Sequence, residues 1–139
     1  MSYSNFVLIG YLKDIKADRA TGYKTFPVKF GWSKTVWLGD VTLVLSALIY
    51  FIIINNNPIG IIVGAIAVAV GFSGQLSAHM VRRKVEENAT YPIVTTVRCI
   101  ILWNLGVVLT YNPNLLAFAL LFYLFFELIM YFRPMKEQI

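Results

Sequence analysis

Residues 59–78 read IGIIVGAIAVAVGFSGQLSA, a stretch without a single charge. A run of about 20 apolar residues is what a helix needs to cross the hydrocarbon core of a bilayer. Lipid gives backbone N–H and C=O groups no partner, so a lone spanning segment satisfies them internally, as a helix. The small residues within it hold one register. Gly60, Gly64, Ala67, Gly71, Gly74 and Ala78 follow at steps of four, three, four, three and four, which places all six on one helical face. Small side chains at this spacing let two backbones approach closely, so the face is predicted to pack against a neighbouring helix. Gln75 and Ser77 at the far end of the run are candidates to line a polar cavity, and His79 falls at the membrane interface.

Three more stretches share this character on either side. Residues 36–54 carry one charge, Asp40; residues 93–111 carry Arg98; residues 115–132 carry Glu127. The whole chain is 58% hydrophobic and 14% charged, with a mean hydropathy of +0.69. Water-soluble domains average about 25% charged residues, so this composition cannot dress a water-facing surface. The fold class that follows is all-α: a polytopic transmembrane helical bundle forming a single domain over residues 1–139. The net charge of +5 does not point to nucleic acid, because the charges cluster in the connections and form no stripe on a soluble module. Cys99 is the one cysteine, which leaves neither a disulfide framework nor a Cys-rich metal site.

The connections differ sharply in chemistry. Residues 55–58 and 112–114 are uncharged, whereas the basic residues gather before position 35, between 80 and 92, and after 132. The positive-inside rule then predicts an integral membrane, multi-pass protein with the charged loops and C-terminus cytoplasmic. Arg98, near the start of its span, reaches the same side by snorkelling. Acids within the hydrocarbon are costly and rarely face lipid. Asp40 and Glu127 are therefore expected in an ion pair or a hydrogen bond to a neighbouring helix, with Arg98 the candidate partner of Glu127. Most of the Trp and Tyr residues sit near span ends as an aromatic belt; Trp103 lies deeper, where it can line an apolar pocket. Residues 5–12 are too short to cross, and read either as an amphipathic anchor or as the cytoplasmic end of a helix.

The charged segment before the first span is the most specific part of the chain. Residues 11–31 read YLKDIKADRATGYKTFPVKFG. Asp14 and Asp18 stand four apart, so a helix over 11–19 puts both carboxylates on one side. Two like charges at that spacing repel, and a divalent cation between them removes the penalty. Mg²⁺ takes hard oxygen ligands and keeps waters and substrate phosphates in its shell. Lys13, Lys16, Arg19, Lys24 and Lys29, interleaved with the acids, suit an anion carried with that metal. Gly22 is predicted to break the helix, and Pro27 to fix the chain before the next span. By spacing alone, the same segment is equally a solvated helix end.

This stretch resembles the second aspartate-rich motif of the UbiA superfamily of intramembrane prenyltransferases. The similarity rests on Lys13-Asp14, the Asp14–Asp18 spacing followed by Arg19, then Gly22, Lys24-Thr25, Pro27-Val28 and Gly31 leading into a span. The resemblance implies a helical bundle around a central cavity, and transfer of an isoprenoid chain from a polyprenyl diphosphate to a hydrophobic or aromatic acceptor in the bilayer. It implies Asp14 and Asp18 as the catalytic metal ligands, holding Mg²⁺ on the diphosphate. Lys13, Arg19 and Lys24 then neutralise the leaving group and Tyr11 helps to position it.

Two departures from the family pattern shape the expectation. No earlier aspartate-rich motif with an Asn-Asp opening occurs in residues 1–139, and Glu86-Glu87-Asn88 has the wrong spacing to replace one. There is also one more span after the motif than the family commonly has. The chain is thus expected to be part of a longer or split enzyme, inactive alone and completed by an N-terminal half with the first motif. The alternative is a non-catalytic membrane remnant or a helical module that binds anionic lipid.

Overall fold

A computed structural model describes residues 2–55 and 57–132, and among these every regular element is helical. The C-terminal tail, including Arg133, Lys136 and Glu137, lies outside the described residues. Three short helices come first: α1 (Ser2–Gly10), α2 (Ile15–Thr21) and α3 (Phe26–Phe30). Four long ones follow: α4 (Trp32–Ile53), α5 (Pro58–Met80), α6 (Thr90–Tyr111) and α7 (Leu116–Phe132). Single 3₁₀ turns, Glu86–Ala89 and Pro113–Leu115, precede α6 and α7. With these turns included, all four long helices have the length and composition to cross a membrane. The described residues are thus all-helical, with four helices long and apolar enough to cross a membrane, as in a membrane protein.

The spans open earlier than hydrophobicity alone predicts, at Trp32 and Thr90 where 36 and 93 were expected. Polar residues in a first turn keep their N–H groups solvated at the interface, so helix extends past the apolar run. The caps are local. Asn57 accepts from the N–H groups of Ile59 and Gly60 through its side chain, and Pro58 occupies the first helical position. Gly22 ends α2 at φ 79°, as predicted from its place in the motif.

The small-residue face of α5 is the seam of the bundle. All six of its Gly and Ala residues are buried, and the interface between α5 and α6 is the most extensive in the protein. A Cβ on Gly74 would stand 1.8 Å from Thr95 Oγ1, and one on Gly64 2.2 Å from Tyr50 Cε1. The face therefore meets α6 and α4 together. Tyr50 crosses the seam and donates to the Gly60 carbonyl at 2.8 Å. Its hydroxyl fits only because Gly106 has no side chain: a Cβ there would lie 2.0 Å from it.

The N-terminal segment is a docked helix rather than a surface anchor. Ile9 and Leu12 are fully buried with Trp32, Val36, Ala78 and Ile93. Gln75, expected at a polar cavity, is instead buried and donates to Asn5 Oδ1 at 3.0 Å. That bond holds α1 on the bundle and was not foreseen, because Asn5 lies in a segment whose partner is seventy positions away.

The last span is held differently. Ala119 is the one buried residue described in α7, so apolar packing on the bundle is slight. Arg98 clamps Glu127 through two parallel bonds, Nε–Oε1 at 2.7 Å and Nη2–Oε2 at 2.6 Å, the pairing expected from their depth. Removing one partner strands a charge in the hydrocarbon. Arg98→Met is expected to loosen α7 by a few kcal/mol, less than the ~3–5 kcal/mol of a fully buried pair because both side chains are near 30% exposed. Limited proteolysis of the α6–α7 connection reads this. Arg98→Met combined with Glu127→Leu should restore most of the protection, and a double variant as labile as the single would show that the pair does not hold the helix.

Candidate functional site

The motif segment folds as two helices where one was expected. Bonding tightens after α1: Tyr11 N–H donates to Val7 at 3.1 Å, then Leu12 and Lys13 N–H to the carbonyls three residues back, Ile9 at 3.1 Å and Gly10 at 3.0 Å. The predicted helix over 11–19 is thus interrupted, because Leu12 is drawn into the core beside Ile9 and a straight helix cannot also keep the next turn on the surface. Asp14 becomes the N-cap residue of α2, with φ −106° and ψ 9°. The spacing argument survives in part. Asp18 N–H donates to the Asp14 carbonyl at 2.8 Å, which leaves the two acids one helical turn apart.

The two carboxylates have different surroundings. Asp14 is exposed, and its side chain makes no capping bond. Asp18 Oδ2 accepts from Thr25 Oγ1 at 2.8 Å, and its carbonyl accepts from Tyr23 N–H at 2.8 Å, so Asp18 also fastens the loop behind Gly22. No group of three or more His, Cys, Asp or Glu side chains able to hold a metal exists among the described residues. Mg²⁺ has another mode, in which two carboxylates supply part of the shell and water and phosphate oxygens complete it.

Three of the remaining candidates line two separate grooves. Tyr11, Lys13 and Asp14 line one of about 460 Å³, with Phe6, Val7, Gly10 and Ile93 as its apolar wall. Arg19 lines the other, about 290 Å³, with Lys16, Trp32, Lys84 and Glu86. Lys24 is exposed on the loop between α2 and α3 and lines neither. The structure therefore brings together Tyr11, Lys13 and Asp14 in one groove, while Asp18, Arg19 and Lys24 do not line it. Trp103 lines a groove between α4 and α6, away from the motif, but its lining is mixed and not apolar: Ser46, Tyr50 and Asn104 stand beside Ile49 and Val107.

Two further side-chain pairs escape the one-dimensional pattern. Glu86 accepts the backbone N–H of Lys16 and pairs with its ammonium at 3.6 Å, tying the α5–α6 loop to the start of α2. Asp40 meets His79 at 2.7 Å, with the Trp37 ring edge-on to the imidazole at 5.2 Å. That contact gives Asp40 its expected neighbouring-helix partner and His79 a definite role as a bridge between α4 and α5. The intramembrane position of Asp40 signalled a partner; nothing in the spacing named His79.

Fold and site together describe a helical protein of membrane type, with four helices fit to span a bilayer and a carboxylate- and lysine-bearing groove at its charged end. No family model, curated protein or solved structure matches this chain.

Proposed function

We propose that this chain takes part in Mg²⁺-dependent transfer of a prenyl group from a polyprenyl diphosphate to a hydrophobic or aromatic acceptor within the membrane. The observation that supports this reading is the mixed groove at α1, lined both by Tyr11, Lys13 and Asp14 and by Phe6, Val7 and Ile93. An amphiphile with an anionic head and an apolar chain suits a lining of both kinds. Asp14 and Asp18 are the residues that would hold Mg²⁺, whose positive charge offsets the charge appearing on the diphosphate as the allylic C–O bond breaks. Lys13 places a second positive charge at the groove, and Tyr11 can orient a phosphate oxygen through its hydroxyl. The bonding pair leaves with the diphosphate. The allylic carbon then bonds to the acceptor, which gives up a proton. The apolar wall limits water, which would otherwise capture the cation.

The motif supplies one acidic face of such a site, and residues 1–139 contain no second motif. Prenyl transfer is therefore proposed to require a partner segment that carries it. Transition-state stabilisation missing on one side of a leaving group costs orders of magnitude in rate. The test is transfer of radiolabelled isoprenoid in lipid nanodiscs, with residues 1–139 alone and with a co-expressed N-terminal half. Silence alone and activity together supports the proposal. Silence in both favours the non-catalytic reading, and metal-dependent turnover by residues 1–139 alone overturns the need for a partner.

Sidedness belongs to the same proposal: the charged end, with Asp14, Lys84 and the C-terminus, faces the cytoplasm. After Cys99→Ala, single cysteines at Lys84 and Asn114 should react with an impermeant maleimide from opposite faces of oriented vesicles, Asn114 from outside. Labelling of both from one face would overturn the scheme.

A further inference from the structure

We propose that the second groove at the charged end, between α2 and the α5–α6 loop, binds the phosphate headgroup of an anionic phospholipid, with Arg19 as its principal contact. This groove shares no lining residue with the one at Asp14, and the proposal does not depend on prenyl transfer.

The charges within it do not cancel. Glu86 is committed to Lys16, one oxygen to its N–H and the other to its ammonium. Lys84 donates to Ser33 Oγ, a neutral partner that leaves its charge uncompensated. Arg19 is exposed and has neither an ion pair nor a side-chain hydrogen bond among the described residues. Two cations thus face one concavity without a counter-ion. The planar guanidinium fork matches two phosphate oxygens at once, where an ammonium acts as a point charge.

The floor and the level of the groove select the source of the phosphate. Ile15, Pro27, Trp32 and Val85 line it beside the cations, and they offer nothing to a free inorganic ion. Trp32 is the first residue of α4, and its Nε1–H donates at 3.0 Å to the carbonyl of Ala78 near the end of α5. The groove therefore opens where α4 begins and α5 ends, the level at which helices of this length would leave the hydrocarbon for the headgroups. A volume of about 290 Å³ holds a headgroup, with the acyl chains remaining in the bilayer.

The test uses the full chain in phosphatidylcholine vesicles containing EDTA, with spin-labelled phosphatidylglycerol or phosphatidylcholine as probe. The motionally restricted fraction should favour phosphatidylglycerol. Arg19→Gln should lower that preference by about tenfold, the loss expected when a charge-assisted bidentate contact is removed, and Lys84→Gln should lower it to a smaller extent. Arg83→Gln, on the same loop but outside the groove, should leave it nearly unchanged. Thermal melting of each variant separates loss of binding from loss of fold. An equal loss with Arg83→Gln, or no preference in the unaltered chain, would overturn the site in favour of diffuse attraction by a basic surface. Displacement of the lipid by inorganic phosphate, but not by chloride of equal ionic strength, would overturn the lipid assignment and leave a soluble phosphate as ligand.

Discussion

Under the proposed prenyl transfer, Asp14→Ala is expected to lower metal-dependent turnover of diphosphate by about 10²–10³-fold or more, the usual cost of losing one electrostatic stabiliser of a transition state. The fold should survive. Asp14 is exposed and makes no capping bond, so alanine there leaves no buried group unpaired. Asp18 is a less simple probe, because its carboxylate also accepts from Thr25. Asp18→Asn keeps an acceptor for that hydroxyl and removes the charge, whereas Asp18→Ala removes both. If metal binding is the role, the two Asp18 variants should be impaired alike. If Asp18 only fastens the loop, asparagine should retain most of the function. Mn²⁺ in place of Mg²⁺, with farnesyl diphosphate as probe, gives a binding readout by paramagnetic resonance that needs no acceptor. Unchanged Mn²⁺–diphosphate binding in both Asp14→Ala and Asp18→Asn would remove the metal from this site.

The largest structural effect is expected at Gly74. Its missing Cβ would stand 1.8 Å from Thr95 Oγ1, 2.9 Å from Thr95 Cβ and 3.4 Å from Pro92 Cα. Turning the threonine moves its hydroxyl but not its Cβ, so relief requires α5 and α6 to part. Overpacking typically costs about 1–3 kcal/mol, and a seam between backbones, with little flexible side chain to absorb the strain, belongs at or above the upper end. Gly74→Leu should therefore melt far below the unaltered protein in detergent, or fail to accumulate as a monodisperse species. Gly10→Ala is the matched control, since nothing lies within 4 Å of a Cβ at that position. A Gly74→Leu protein as stable as Gly10→Ala would mean that α5 and α6 do not approach this closely in the membrane.

Most of the architecture was legible because the bilayer simplifies the problem. Where water is absent, an uncharged run such as residues 59–78 has one way to satisfy its backbone, and length alone locates the spans. The small-residue register on α5 was readable for a similar reason, since a helix has one period and a seam needs every third or fourth side chain to be small. Arg98 and Glu127 were paired from depth alone, because a charge in hydrocarbon must find its opposite.

What the chain order did not contain is anything decided between segments. The break at Tyr11–Asp14 comes from Leu12 entering a core built by α4, α5 and α6, a competition that local helix spacing cannot see. Asn5 with Gln75, Glu86 with Lys16, and Asp40 with His79 join positions 39 to 70 residues apart. Each needed the bundle to close before its partner existed. The separation of Arg19 from Asp14 has the same origin: five residues apart in one motif, they line different grooves once α2 lies against the α5–α6 loop. Apolar runs, candidate spans and the residue types at the charged end follow from composition and period. Which of those residues share a groove follows from packing, because a short helix presents neighbouring charges in different directions and its contacts select which of them meet.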